Sequence, residues 1–357
     1  MKSQRFDTLD GLRGVAAFVV LVFHIVQQHD LHGLPFAGLA VDFFYVLSGF
    51  VVAFAYESKL QQGVMSFGDF AWVRVRRLYP LVLLSTLIGI ALALLAATVK
   101  RDVTFVEVAS AGVLGLLLLP SYVFPRWPTA YPFNMASWSL TFEAFVNVVY
   151  AAIAKHLTTA RLFWLCGLSA GLMIWVALAN HGISGGNNQA GFAYGFPRVM
   201  FPFFVGVLLY RLRPVPVRRP AACIALMLVL AAALMMTWSY GAALSLLYVG
   251  VLFPGVVWIG SSIEVEGTLR KVCYVLGMLS YPVYIMQGPI LRVGDEILKR
   301  RPDLAPHAWL YGLVEALTVV VLSWAAHKLF DEPAQRFLRR WRSPSVQPAI
   351  AASQAQK

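Results

Sequence analysis

Apolar runs long enough to cross a lipid bilayer recur from one end of this chain to the other, and no other feature restricts its fold as much. Candidate spans lie at 12–28, 38–56, 79–98, 107–123, 136–154, 162–180, 197–210, 221–238, 241–260, 272–292 and 308–328. A helix of about 17 to 21 residues covers a hydrocarbon core of roughly 30 Å. The runs are continuous rather than alternating, which predicts helices and not barrel strands. Of the 357 residues only 13% are charged and 59% are hydrophobic, about half the charge of a soluble domain. The fold class expected is an all-α integral membrane protein, a polytopic bundle of about ten transmembrane helices. A single transmembrane domain over 1–342 is expected. It is followed by a Ser/Gln/Ala/Pro-rich tail, 343–357, of the composition that stays disordered.

The net charge of +12 would suit nucleic acid if it were gathered on one soluble surface. It sits instead in short clusters between apolar runs: Arg74, Arg76 and Arg77; Arg211, Arg213, Arg218 and Arg219; Arg336, Arg339, Arg340 and Arg342. Cytoplasmic loops have this distribution. With both termini cytoplasmic the number of crossings must be even, and eleven runs are present. The count closes if 107–123, flanked by Pro120 and Pro125, is a re-entrant or interfacial piece. One loop breaks the charge rule, since Lys299, Arg300 and Arg301 fall on the outer side. No small-residue cleavage site follows the first run, which reads as a retained helix. Cys166, Cys223 and Cys273 form no CxxC pair, and packing is their expected role.

The first run holds Asp10, Arg13 and His24 among apolar residues. Arg13 and His24 are eleven residues apart, about 16 Å and nearly whole helical turns, so they share one face. Asp10 and Arg13 form an i, i+3 pair. Ionisable side chains inside a span are costly and are functional candidates by default. The plainer account has Arg13 snorkelling to the interface and His24 bonded to a neighbouring helix.

The stretch "LDGLRGVAAFVVLVFH" resembles the opening of acyltransferase family 3, the membrane O-acyltransferases of surface polysaccharides, with Arg and His separated by ten residues. "VDFFYVLSGFVV", "RVRRLYP", "SWSLTFEAFVNVVY", "LSYPVYIMQGPIL" and "FDEPAQRFLRR" are similar to later segments of that family, in the same order, over roughly residues 5–340. The resemblance implies transfer of an acyl group, acetyl in the first instance, from cytoplasmic acetyl-CoA or another acyl-CoA to a hydroxyl of an envelope carbohydrate, at a bacterial inner membrane. It implies Arg74 and Arg77 as donor contacts, with Arg76 beside them and Arg13 near the donor's inner part. Guanidinium forks bind phosphate oxygens bidentately, as the pyrophosphate and 3′-phosphate of CoA require. His24 is then the general base, or a transient acyl carrier, meeting the thioester at the end of the extended pantetheine arm. Glu143 is the first choice of acid to orient it and Asp42 the second. One departure is Gln287, where many members carry His.

The remaining features are weaker. The loop 124–135 is rich in Trp, Tyr and Pro, which suit sugar faces but belong equally at membrane interfaces. The polar loop 184–191 reads as a linker. His29, His32, His181 and His307 fall in outer loops, and no HxxxH pair is present, so no metal is expected. Glu332 and Arg336 form an i, i+4 pair. A transporter or flippase of a lipid-linked glycan or small anion is the competing class, but it predicts repeat symmetry that is absent here. A membrane sensor would usually append a soluble output domain.

Overall fold

The computed structural model describes residues 5–29, 34–100, 103–124, 129–237 and 241–341. The tail 343–357 and His32 lie outside these residues. Thirteen α-helices carry the described chain: α1 Asp7–Gln28, α2 Ala40–Gln61, α3 Phe67–Lys100, α4 Phe105–Leu116, α5 Ser137–Ile153, α6 Thr159–Ala179, α7 Gly195–Arg211, α8 Pro220–Leu234, α9 Ala242–Leu247, α10 Phe253–Ser261, α11 Gly267–Arg300, α12 Ala308–Ala326 and α13 Glu332–Trp341. Eight helical stretches are long and apolar enough to cross a membrane. Helix α11, at 34 residues, also has the length. Helix α4 has twelve residues, about 18 Å, and is too short to cross alone. This is the segment that the charge count singled out.

Helices α9 and α10 form one span joined by a π-helical turn, Tyr248–Leu252; a second π turn, His327–Asp331, joins α12 to α13. Each ends two residues before a proline, Pro254 or Pro333. Proline supplies no N–H and its ring crowds the carbonyl four residues back, so a wider turn relieves both.

The basic clusters converge on one end of the bundle, called here the basic end. A two-residue parallel pairing, Val217–Arg218 with Ile263–Glu264, ties the α7–α8 and α10–α11 connections together there. Arg211 donates to Glu57 Oε1 at 2.6 Å and to the Leu157 carbonyl at 2.6 Å, gathering α7, α2 and the α5–α6 turn. At the far end Lys299, Arg300 and Arg301 pair with Asp295, Glu296 and Asp303. Their charge is matched locally.

Helices α1 and α11 run parallel at the centre: Gly14 meets Leu276, and Arg13 bonds to Gly277 and Ser280. Helices α2 and α7 cross at a reciprocal glycine contact. A Cβ on Gly49 would lie 1.9 Å from the Phe203 carbonyl oxygen, and one on Gly206 would lie 2.1 Å from the Val46 carbonyl oxygen. Small residues let helix backbones approach where lipid offers no hydrophobic drive. Gly49→Ala is therefore expected to destabilise by about 1–3 kcal/mol, read as a lower midpoint of thermal unfolding in detergent; an unchanged midpoint would show that the helices can separate freely. The three cysteines are buried, as packing residues. Large apolar side chains on α6 and α12, Trp164 and Trp309 among them, point outward, the surface expected to face lipid.

Candidate active site

The Asp10–Arg13 pair on the first turns of α1 forms as its spacing predicts, at 3.1 Å. Arg13 also donates from Nε to Ser280 Oγ at 2.9 Å and from Nη2 to the Gly277 carbonyl at 2.8 Å, so α11 fixes the guanidinium. Arg5 holds the other oxygen of Asp10 at 2.8 Å. Facing them, Arg74 on α3 donates to Glu143 Oε1 on α5 at 2.5 Å, and Ser48 Oγ on α2 donates to the same oxygen at 2.7 Å. Five helices distant in sequence thus meet, although nothing local to any of them encodes the meeting.

Between these groups lies a cavity of about 400 Å³. Its charged lining is Arg5, Arg13, Arg74 and Arg77 against Asp10 and Glu143, an excess of positive charge. Its remaining walls are largely apolar and aromatic, with Phe6, Phe44, Phe54, Leu140, Tyr281 and Tyr284 among them. On α2 the lining runs from Phe54 near the basic end to Val41, about 20 Å of helix. Ser139 stiffens the inner wall: its carbonyl accepts from the Tyr45 hydroxyl at 3.1 Å, and its Oγ pairs with the Tyr284 hydroxyl at 2.7 Å. Tyr281 donates to the Leu78 carbonyl. The Arg74 Nε is buried without a protein partner among the described residues. Such a cavity can hold a polyanion at its mouth and an extended, mostly apolar arm within.

Three of the sequence candidates lie outside this lining. His24 stands further along the same face of α1, beyond Ala17 and Val20, which are buried. Its ring touches Phe23 at 5.0 Å, and among the described residues no side chain hydrogen-bonds to it. The parallel register of α1 and α11 brings His24 level with the turn that holds Gln287. That side chain is buried; its Nε2 donates to the Tyr284 carbonyl at 3.1 Å while its Oε1 has no partner among the described residues. Asp42 is engaged elsewhere, taking two bonds from Arg198 on α7 at 2.9 and 2.7 Å. Arg76 lies beside the mouth, partly buried, with Nη1 unpartnered among the described residues.

The structure also presents groups that the sequence reading passed over. Glu315, inside the apolar run of α12, accepts from Gln28 Nε2 at 2.9 Å and pairs with His29 Nε2 at 2.8 Å. His29, expected in an outer loop, thus stands at the end of α1 with its side chain buried. Arg198 likewise lies inside an apolar run. Both carry the signal that singled out Asp10, Arg13 and His24, an ionisable side chain where none is cheap.

The profile of the acyltransferase domain named acyltransferase 3 matches residues 6–328. The chain belongs to acyltransferase family 3. Apart from Arg5, every site residue named above falls within the matched range, and the family-3 chain is a multi-pass membrane acyltransferase. It is similar to the acyltransferase MdmB of Streptomyces mycarofaciens, at 26% identity over 99% of this chain and 97% of that one. Protein 2 of the picA locus of Rhizobium radiobacter is 36% identical over 49% of this chain and 96% of its own length. BcsY of Komagataeibacter xylinus, described as a membrane-bound transacylase, is 26% identical over 89% of this chain and 81% of its own. No solved structure matches the chain. Membership of family 3 decides against the transporter reading.

Proposed function

We propose that this family-3 enzyme transfers an acyl group, acetyl in the first instance, from acyl-CoA to a hydroxyl of an envelope carbohydrate. The donor enters at the basic end, which faces the cytoplasm of a bacterial inner membrane, with both termini on that side. The observation that carries the reading is the cavity itself: positive at the mouth, apolar within, and about 20 Å deep along α2. Arg74 and Arg77 take the phosphates of CoA, with Arg76 alongside, and Arg13 steadies the inner part of the donor. Glu143, tied to Arg74 and Ser48, keeps the Arg74 guanidinium aimed.

His24 is the base. In the direct course the acceptor oxygen bonds to the acyl carbon, the carbon–sulfur bond breaks, and the hydroxyl proton passes to His24 and then to the departing thiolate. In the two-step course His24 carries the acyl group between donor and acceptor. In either course the layer of Ala17 and Val20 must open or be reached past, because it stands between the cavity and His24. The alternative partner for Asp42, Arg198, supports Glu143 over Asp42 as the carboxylate nearer the chemistry.

Donor binding is testable without an acceptor. Acetyl-CoA should raise the unfolding temperature of the detergent-solubilised protein, and the double variant Arg74→Ala/Arg77→Ala should lose most of that shift. Removing two charge-assisted contacts weakens binding by about 10²-fold. Equal stabilisation of wild type and variant would place the donor elsewhere.

A further inference from the structure

Helix α4 dips into the bundle from the far end, antiparallel to α3. Gly115 lies against Thr86, and the Tyr79 hydroxyl donates to the Leu116 carbonyl at 2.9 Å. Between α4 and α5 the described residues, 117–124 and 129–136, form no helix, and α5 begins inside the bundle. Asn134, just before it, donates to Ser85 Oγ at 2.8 Å and to the Ile285 carbonyl at 2.9 Å. Irregular backbone at membrane depth is tolerated where protein buries it or a polar cavity needs it. Here it borders a second, smaller chamber of about 10 Å³, room for one oxygen-sized group, lined by Thr86, Ser121, Tyr131, Asn134 and Ser137 among others.

Most polar groups around the chamber are occupied. The Asn134 amide oxygen accepts from Ala136 N at 3.1 Å, and the Tyr131 hydroxyl donates to Thr141 at 2.8 Å. Two are not. Thr86 Oγ1 on α3 and Ser137 Oγ at the first residue of α5 are buried and have no partner among the described residues. They come from different helices into one chamber, at the positive end of the α5 dipole. An unpartnered buried hydroxyl destabilises a fold, so each calls for a partner from the chamber that both residues line. Along α5 the chamber and the larger cavity are consecutive: Ser137 faces the first, Ser139 and Leu140 the second. Leu81, Val82, Leu140, Ile285 and Met286 form the apolar layer next to them.

We infer that this chamber is a subsite for a single hydroxyl group, brought by the acceptor or by a water, at the opposite end of the transfer path from acyl-CoA. Each of the two free hydroxyls can donate and accept, so together they hold an incoming O–H in both senses. The volume admits one hydroxyl and excludes a sugar ring, which stays outside. The inference rests on the acyl-transfer reading above.

Thr86→Val keeps the side-chain shape and Ser137→Ala removes one atom, so neither should lower the unfolding temperature. If the acceptor fills the subsite, each variant raises KM for the acceptor by about five-fold, leaves KM for acetyl-CoA unchanged, and Thr86→Ser recovers wild-type behaviour. If water fills it, acceptor-independent CoA release falls by a similar factor and acceptor KM stays put. Kinetics within about two-fold of wild type in both variants, with equal or higher thermal stability, would overturn the subsite. A wild type that releases no CoA would instead fail the acyl-transfer reading. The chamber is then judged by thermal stabilisation with methyl hexosides: a shift lost in Thr86→Val supports it, and equal shifts overturn it.

Discussion

His24→Ala is expected to lower acceptor-stimulated CoA release by about 10²–10⁴-fold, the usual contribution of a positioned general base, while acetyl-CoA still stabilises the protein. The two halves of this expectation have separate structural grounds. His24 is outside the cavity lining, so its removal takes nothing from the donor's phosphate contacts. Its ring is partly exposed and hydrogen-bonded to no side chain among the described residues, so its loss strands no buried partner and should cost little stability. A variant that transfers acyl groups at the wild-type rate would remove His24 from the mechanism. A variant that loses donor stabilisation would mean that the ring reaches the donor directly, and that the Ala17–Val20 layer is absent in solution.

Arg198→Ala should destabilise the fold by about 3–5 kcal/mol, because it leaves a carboxylate buried without its counter-charge. Asp42 is fully buried, and both of its oxygens rely on Arg198. The guanidinium also donates to the Gly185 and Gly38 carbonyls at 3.2 Å and lies 5.1 Å from the Trp138 ring centre. It therefore binds α2, α7, the start of α5 and the 184–191 loop into one joint. The chemical unfolding midpoint should fall accordingly, whereas the double variant Asp42→Leu/Arg198→Met should recover much of the loss, since a buried pair replaced by apolar side chains of similar size is often neutral. The same experiment separates the two roles of Asp42. A joint predicts that surviving folded double variant keeps its turnover. An acid orienting His24 predicts that turnover collapses even where stability returns.

Sequence periodicity sufficed for much of this. The runs at 12–28, 136–154 and 162–180 correspond to α1, α5 and α6, because apolar length is a local property that lipid enforces directly. The even-crossing argument isolated 107–123, and the helix there, α4, has twelve residues. The Asp10–Arg13 pair was legible because both partners sit on one helix. Arg74 and Glu143 were each visible, but their bond spans sixty-nine residues, and no local pattern records it. The same holds for Asp42 with Arg198 and for His29 with Glu315. In both pairs one member stands out in the sequence, and its partner lies inside an apolar run that the sequence reading passed over. The chamber beside Thr86 was beyond reach, since serine and threonine are ordinary in membrane helices and only the folded chain shows which hydroxyls lack partners.

The most direct test of the whole account is CoA release from acetyl-CoA by purified wild-type protein in detergent, with and without a panel of candidate glycans. The account predicts release that glycans stimulate and that the Arg74→Ala/Arg77→Ala variant loses at low donor concentration. No release with any glycan and several acyl donors, from protein that is folded by its thermal transition, would contradict it.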